Sequence, residues 1–349
     1  MMNSLPALHI GSRALALLGT ADARWDVLAT VGHAVYIVNR DGEIVWITDR
    51  AEALHARGVL LAALPTRLTN SRLPLRASAG RLHCAGVKLT WRQVDLWEPR
   101  AAVTSDSRVE GFPDRVCDAI RSVGSMEGPP AGVRRDEALP EGDGSPGGEA
   151  SVADALTEKL MRGVRTLSVA PAGSEVLPRL RAVAYVVGLG QGLTPAGDDM
   201  LGAFLYTLQM LSGTCYAMPG IDWADVRAWV HRVARRTSVI SRCMLLDHAY
   251  GSTCAPLAEF LRAALEGGED AQLSRLARGV AGVGASSGRS LLAGVGAACS
   301  AMLTCRAGPN PVPVGRVDVV LGEDQRREVA CPLTSSGRSN RQTANSCVG

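Results

Sequence analysis

The sequence predicts an α+β protein in which a small N-terminal antiparallel β domain is followed by a mainly α-helical bundle domain. Short runs of alternating apolar and polar residues fill residues 32–97, without a helix-length period. Successive segments of residues 151–305 instead have apolar residues at i, i+3 and i+4, as amphipathic helices do. A stretch rich in Gly, Pro and charge separates the two patterns.

The β-rich domain is predicted to span residues 1–104. The segment "HAVYIVNRDGEIVWIT" consists of two alternating runs around an Asp-Gly turn, which is a strong hairpin signal. "GVLLAALP" predicts a further strand, and "GRLHCAGVKLTWRQVDLW" predicts two or three more.

The middle and the end of the chain have the composition of unstructured segments. Residues 105–150 are predicted to be a flexible linker or insertion, with a short helix, "PDRVCDAIRSV", before its Gly- and Pro-rich part. Residues 306–349 are rich in Pro, Ser, Arg and Asn, and we expect a mostly disordered tail apart from a possible strand, "GRVDVVL".

The helical domain, residues 151–305, is predicted to contain seven or eight helices. Several of the segments end at a glycine that suits a helix C-cap, namely Gly188, Gly251, Gly267 and Gly284. The helical segments are "SVADALTEKLMRGV", "PRLRAVAYVVG", "DDMLGAFLYTLQML", "DWADVRAWVHRVAR", "SRCMLLDHAYG", "APLAEFLRAALEGG", "AQLSRLARGVAGV" and "GRSLLAGVGAACSAML".

Composition excludes several classes of partner. The 349 residues include 37 Lys and Arg against 34 Asp and Glu, and a net charge of +3 is too small to favour nucleic acid or an anionic membrane. Residues 281–303 are apolar but rich in Gly, Ala and Ser and contain Arg289, which favours a packing helix over a membrane span.

Cysteine usage favours a cytoplasmic protein. The nine cysteines are odd in number and form no CxxC pair, which indicates thiols in a reducing compartment rather than a disulfide framework or a zinc site. The short run "ALALLG" has no basic cluster before it, so we expect no signal peptide.

A glycine-rich stretch, "GLGQGLTPAGDDML" at residues 188–201, is the strongest candidate site. Gly188, Gly190 and Gly192 permit a tight turn whose N–H groups could bind an anion at a helix start, and Thr194 could contact an anion oxygen. The stretch lacks the Gly-Lys-Ser/Thr of a phosphate-binding P-loop and the β-α-β context of a dinucleotide site.

Asp198 and Asp199 follow at the predicted helix start. One acidic residue there would be explained by the helix dipole and by capping alone. Two adjacent carboxylates point in different directions, so we assign at least one a site role. Hydrogen-bonding a substrate amide, acting as a base and holding Mg²⁺ are the three alternatives; no other metal or cofactor is indicated.

A second stretch, "GVGASSGRSLLAG" at residues 282–294, resembles the first. Gly288 matches Gly197 and follows two hydroxyl-bearing residues, Ser286 and Ser287. Two such loop-to-helix units suggest a pseudo-symmetric pair whose helix N-termini face one site. The alternative is that the small residues only permit close helix packing.

Hydroxyl groups between these stretches could form a third wall of an anion pocket. Thr237, Ser238 and Ser241 lie beside Arg235 and Arg236. The same pattern is also typical of a helix N-cap with flanking charges.

His248 is predicted to be a partner of a helix C-terminal dipole rather than a catalyst. His33 and His83 have no carboxylate or cysteine at metal-ligand spacing.

These motifs resemble the AllH-type family, which includes a subunit of bacterial oxamate carbamoyltransferase. The glycine-rich stretch carries the family's Gly-x-Gly-x-Gly-Leu-Thr-Pro-[Ser/Ala]-Gly-Asp-Asp signature. "AVYIVNRDGEIVWIT", "VDLWEP", "TSVISRCMLLDHAYG" and "GASSG…LLAG" match other parts of the family in order. The resemblance covers roughly residues 30–100 and 155–303. It departs at Ser290, where the family's last loop usually has an aspartate.

The resemblance implies a cytoplasmic enzyme subunit that acts with other protein subunits on a small anionic substrate. The related reaction converts oxalurate and phosphate into oxamate and carbamoyl phosphate, late in allantoin breakdown and thus in purine catabolism. We expect a carbamoyltransferase subunit; the alternative is a non-catalytic or regulatory subunit that binds a small anion. An ATP-dependent phosphotransferase is weaker, because no Lys or Arg lies within the glycine-rich motif. The sequence does not identify the substrate, the partners or their stoichiometry.

Overall fold

The structure is a computed structural model. It describes residues 3–19, 23–69, 74–78, 80–84, 86–91, 94–98, 110–125, 152–169 and 176–306. Most of the predicted linker and all of the predicted tail after Arg306, including "GRVDVVL", lie outside the described residues.

Nine strands form one sheet that closes on itself as a barrel. The sheet order is β5-β4-β3-β2-β6-β7-β8-β1-β9, and an additional pairing of β1 with β5 closes a ring of eight strands, with β9 beside β1. Neighbouring strands are antiparallel except for β4–β5, β1–β8 and β1–β9. The strands are β1 (Asn3–Gly11), β2 (Ala23–Val31), β3 (Ala34–Asn39), β4 (Ile44–Thr48), β5 (Gly58–Leu61), β6 (Leu75–Ser78), β7 (Arg81–Cys84), β8 (Val87–Thr90) and β9 (Asp95–Trp97).

The predicted hairpin is confirmed as β3 and β4, with Gly42 at a φ of 75° in the connecting turn. The strands predicted from "GVLLAALP" and from the segment ending at Trp97 are also confirmed, as β5, β7, β8 and β9. Sequence reasoning missed β1, β2 and β6. Pro6 interrupts the strand pattern of β1. The pairing of β1 with β5 and β8 joins segments distant in sequence, so a local sequence pattern does not predict it.

Eleven α-helices occur among the described residues. They are α1 (Ser12–Leu18), α2 (Thr66–Thr69), α3 (Phe112–Ser125), α4 (Val152–Ser168), α5 (Val176–Ala182), α6 (Ala196–Met210), α7 (Trp223–Val233), α8 (Val239–Ala249), α9 (Ala255–Leu265), α10 (Asp270–Ala281) and α11 (Ser287–Arg306). All eight predicted helical segments of the second domain are confirmed as α4–α11, and the predicted short helix is α3. The four glycines proposed as caps all have positive φ.

Helices α6 and α11 form the centre of the bundle. Every residue of α6 from Ala196 to Leu208 is buried. Gly294 of α11 packs so closely on α6 that a Cβ would lie 2.1 Å from the Met200 carbonyl oxygen. Helix α11 is long and apolar enough to span a membrane by length and composition, but 78% of its apolar window is buried inside the protein. The predicted packing helix is therefore a core helix of the bundle.

Helix α3 also packs in the bundle core, through Phe112, Val116 and Cys117. It falls within the range predicted as linker, so the core of the helical domain also includes a segment that precedes the Gly- and Pro-rich stretch.

The barrel contacts the bundle through a buried ion pair and through apolar side chains. Arg57, which is 2% exposed, donates from Nε and Nη2 to the two carboxylate oxygens of Asp247, at 2.5 and 2.9 Å. Trp46 and Ile44 of the hairpin pack on Ile240 and Cys243 of α8. Because a buried charge needs a partner, this contact fixes the position of α8 against the barrel.

Candidate functional site

The glycine-rich loop adopts the tight turn that its sequence predicts. Gly188, Gly190 and Gly192 have φ angles of 77°, 123° and 90°, which L-residues rarely adopt. A Cβ on Gly190 would lie 2.6 Å from the Ala196 nitrogen, whereas one on Gly192 would meet nothing within 4 Å. The loop is therefore closely packed at its base and open at Gly192.

The first-turn amides of α6 are already used inside the protein. The Gly197 N–H donates to the Leu189 carbonyl oxygen at 2.9 Å, and the Asp198 and Asp199 N–H groups donate to the Pro195 carbonyl oxygen. An anion at this loop would therefore meet the amides of residues 190–194, which make no backbone hydrogen bond within the described chain.

Asp198 links the loop to the start of α8. Its Oδ1 accepts from the Gly188 N–H at 2.8 Å, and its Oδ2 accepts from the hydroxyls of Thr237 and Ser241, the latter at 2.7 Å. Asp198 is only 2% exposed. The two hydroxyl groups predicted to line the pocket thus bind this carboxylate, which gives Asp198 a positioning role in the free protein.

Ser238 is the N-cap of α8, as the second interpretation of the hydroxyl cluster proposed. Its Oγ accepts from the Ser241 N–H at 3.1 Å and donates to the Leu193 carbonyl oxygen at 2.8 Å. Arg235 and Arg236 are exposed, and Arg236 donates to the Ala184 carbonyl oxygen at 3.0 Å.

Asp199 has a different environment from its neighbour. It is 6% exposed, and its Oδ2 has no hydrogen-bond partner among the described residues. Burial raises the pKa of this carboxyl well above its usual value of 3.8, although the Ser287 and Thr194 hydroxyls act to lower it. The group therefore favours its protonated form to a higher pH than an ordinary aspartate does.

The second loop meets the first at this carboxyl. Thr194 Oγ1 and Ser287 Oγ lie 2.8 Å apart, and both hydroxyls act on Asp199. Further along the two helices, Gly294 packs on Met200 and Phe204, so α6 and α11 run in the same direction. The structure thus brings the two helix N-termini together.

The resemblance between the loops extends to their packing. A Cβ on Gly197 would lie 2.0 Å from the Val186 carbonyl oxygen, and one on Gly288 would lie 2.0 Å from the Val280 carbonyl oxygen. The Gly288 N–H donates to the Val283 carbonyl oxygen, as the Gly197 N–H donates to that of Leu189. Both glycines are therefore required for close packing, which was the alternative interpretation of the pattern.

The second loop carries no carboxylate at the matching position. Ser290 occupies the position equivalent to Asp199; it is 1% exposed, and its Oγ lies 3.4 Å from the Ser286 carbonyl oxygen. Ser286 and Ser287 are partly exposed at the mouth of the loop pair.

The barrel contributes a residue that sequence reasoning missed. Burial raises the pKa of Tyr36 on β3, and the charge of Asp199 raises it further, so the two groups lie within electrostatic range. Tyr36 and Leu193 of the loop both pack against the apolar cluster of Ile44, Trp46, Ile240 and Cys243. It stands in the predicted hairpin, but no local pattern indicates that this hairpin faces the loop.

His248 is a buried neutral side chain. Its Nε2 lies 2.9 Å from Thr253 Oγ1, and burial together with His55 lowers its pKa to about 3. A neutral imidazole does not stabilise a helix dipole by charge, so the predicted dipole role is wrong. Gly202 leaves room for the ring, since a Cβ there would lie 2.5 Å from His248 Nδ1.

The aspartate pair does not fit a magnesium ion. Mg²⁺ prefers charged oxygen ligands in an octahedral arrangement with several waters. Asp198 already accepts three hydrogen bonds, and burial, which raises the pKa of the Asp199 carboxyl, disfavours its ionised form. No group of three His, Cys, Asp or Glu residues in the described part of the chain could hold a metal ion.

Fold and site together define an α+β protein whose candidate site lies where two glycine-rich loops meet. Residues 186–299 match the model of a protein family described as oxamate carbamoyltransferase subunit AllH. The match contains both loops and helices α6–α10, and it confirms the resemblance for this segment. The barrel and residues 155–185 lie outside the match. Comparison with curated proteins and with solved structures gives no match.

Proposed function

We propose that this protein is a carbamoyltransferase subunit that binds a small carboxylate or phosphate anion where its two glycine-rich loops meet. The family match supports the class, because the family is described as a subunit of oxamate carbamoyltransferase. A subunit of such an enzyme acts together with other protein chains, and we propose a cytoplasmic location and a place in purine catabolism, at the breakdown of allantoin.

One observation carries the proposal. The Thr194 and Ser287 hydroxyls meet beside Asp199, which has a buried oxygen that no described residue hydrogen-bonds. A buried polar atom without a hydrogen bond costs about 1–3 kcal/mol, so the arrangement is explained if a ligand completes it. The amides of residues 190–194, which make no backbone hydrogen bond within the described chain, are further N–H donors of the same loop.

The chemistry of these groups suits oxalurate, oxamate, phosphate or carbamoyl phosphate. Loop amides and hydroxyls donate to carboxylate or phosphate oxygens. A protonated Asp199 would donate to a ligand oxygen, and the ionised form would accept a hydrogen bond from a carbamoyl NH₂. Its raised pKa also suits a general base better than an ordinary aspartate does. Asp198 would act through the loop that it holds rather than on the substrate.

The proposal is tested by calorimetry and thermal unfolding of the full chain with phosphate, carbamoyl phosphate, oxamate and oxalurate. A ligand at about 100 times its Kd should add roughly 2.7 kcal/mol of stability. We expect this gain to be lost in Thr194→Val with Ser287→Ala and kept in Thr30→Val, a control at an exposed position of β2. Equal binding by all three proteins would refute the site.

The second candidate is a regulatory small-anion subunit without catalytic activity. Ser290 favours it, since the family usually has an aspartate there and this copy offers a buried hydroxyl. Ligand binding without turnover, in an assembly whose other subunits are active, would distinguish this function. Under the catalytic proposal, Asp199→Asn should abolish turnover in that assembly while the ligand still binds.

A further inference from the structure

A cleft between the barrel and the bundle forms a pocket apart from the two loops. Its volume is about 580 Å³, a size that suits a small molecule. It is lined by residues of α1, of the β3–β4 turn and of the segment before β5, by Glu98 after β9, by His231 of α7, and by residues at the end of α8 and just after it. Ser241 on α8 contacts the loop site, and Asp247 lies in the cleft six residues later, a rise of roughly 9 Å along the helix axis.

The floor of the cleft is a fixed network of charges. Arg57 pairs with Asp247 and also donates from Nη1 to a Glu43 carboxylate oxygen at 2.6 Å. Arg13 reaches the other Glu43 oxygen at 3.1 Å. Because these groups neutralise one another, the floor holds its shape without a ligand.

Three lining groups remain available to a ligand. Arg13 is half exposed and, among the described residues, donates only through Nη2 to Glu43, so the rest of its guanidinium can donate to a ligand. Glu98 is exposed and forms no ion pair with a described residue. Ser252 has a buried Oγ without a hydrogen-bond partner in the described chain.

Apolar and aromatic groups complete the lining. Tyr250 is 44% exposed and is held by the Arg227 guanidinium, which lies 4.7 Å from its ring centroid. Leu246 and Ala56 lie on other parts of the wall. A cation, an unpaired carboxylate, a hydroxyl and an apolar wall around one small space match a ligand that has a carboxylate, N–H donors and a planar body.

We propose that this cleft binds a small carboxylic acid that carries an amide or ureido group. Arg13 binds the carboxylate, and Glu98 and Ser252 accept from the N–H groups. The assignment rests on the proposed function only for the choice of oxamate as the probe, since oxamate carries a carboxylate and an amide on adjacent carbons.

The test is isothermal titration of the full chain with oxamate, oxalate and acetamide. We expect oxamate to bind best, because oxalate lacks N–H donors and acetamide lacks the carboxylate. Arg13→Gln and Glu98→Gln should each weaken oxamate binding about tenfold or more. Arg40→Gln and Glu52→Gln make the same chemical changes at exposed residues outside the cleft lining and should leave the Kd unchanged.

Variants of the loops separate the two proposals. If Thr194→Val abolishes oxamate binding while Arg13→Gln and Glu98→Gln do not affect it, oxamate binds at the loops, and the cleft inference is wrong while the proposed function stands. If oxamate does not bind the native chain at about 10 mM, the cleft inference fails, and phosphate binding still tests the loops independently. Oxamate binding that depends on the cleft residues but not on Thr194 supports the inference.

Discussion

The two glycine-rich loops share their packing but differ in their chemistry. Each places a glycine where a Cβ would lie 2.0 Å from a carbonyl oxygen of the preceding segment. The first loop then continues with Asp198 and Asp199, whereas the second continues with Arg289 and Ser290. The comparison shows that close helix packing accounts for the glycine that the two loops share. The two carboxylates of the first loop make the pair chemically asymmetric.

The largest expected effect tests the shared packing. Gly197→Ala and Gly288→Ala should each lower the free energy of unfolding by about 3 kcal/mol, because the added methyl group meets backbone rather than a movable side chain. Urea unfolding measures the change. Gly279→Ala is the matched control, since its Cβ would meet nothing within 4 Å in α10, and it should leave stability unchanged or raise it by up to about 1 kcal/mol. A loss at Gly197 without one at Gly288 would contradict the packing equivalence.

The next effect tests the positioning role of Asp198. Asp198→Asn should lower the free energy of unfolding by about 2 kcal/mol, since the amide replaces a carboxylate that accepts from Gly188, Thr237 and Ser241. Hydrogen exchange should increase in residues 188–195 and at the start of α8. Asp225→Asn, at an exposed position of α7, is the control. An unchanged exchange pattern would mean that Asp198 does not hold the loop.

Asp199 should show a pH dependence of opposite sign to that of a salt-bridged aspartate. Its pKa is raised in the folded protein, so its protonated form favours folding, and stability falls as the pH rises from about 4, the unfolded value, through the folded pKa. Each unit of pKa rise corresponds to about 1.4 kcal/mol. The stability of the native chain relative to Asp199→Asn should therefore decline with pH in urea unfolding. A difference that stays constant with pH would show that the pKa is ordinary.

The smallest effect tests the contact between the loops. Thr194→Val and Ser287→Ala should each cost about 1 kcal/mol, and the double variant should cost less than their sum, with a coupling energy of about 1 kcal/mol. A double-mutant cycle by urea unfolding measures this coupling. Additive losses would indicate that the two hydroxyls do not interact.

Much of the fold follows from local patterns in the sequence. The alternation in β3 and β4 and the helical spacing in α4–α11 predict those elements, because side-chain direction has a period of 2 in strands and 3.6 in helices. The glycines at 188, 190 and 192 likewise predict a turn with positive φ. The resemblance of the two loops is visible in the sequence because Gly197 and Gly288 occupy positions without room for a Cβ, and only glycine fits there.

Only the tertiary structure decided how these elements and their charges are used. The sequence does not distinguish the roles of Asp198 and Asp199. In the structure, Thr237 and Ser241, which are 39 and 43 residues away from Asp198, donate hydrogen bonds to Asp198. Asp199 is buried but receives neither of these hydrogen bonds. Contacts between the barrel and the bundle bring Tyr36 within electrostatic range of Asp199 and place Arg13, Arg57 and Asp247 in one cleft. Burial and hydrogen bonding depend on contacts between residues distant in sequence, so the local pattern of a segment does not determine them.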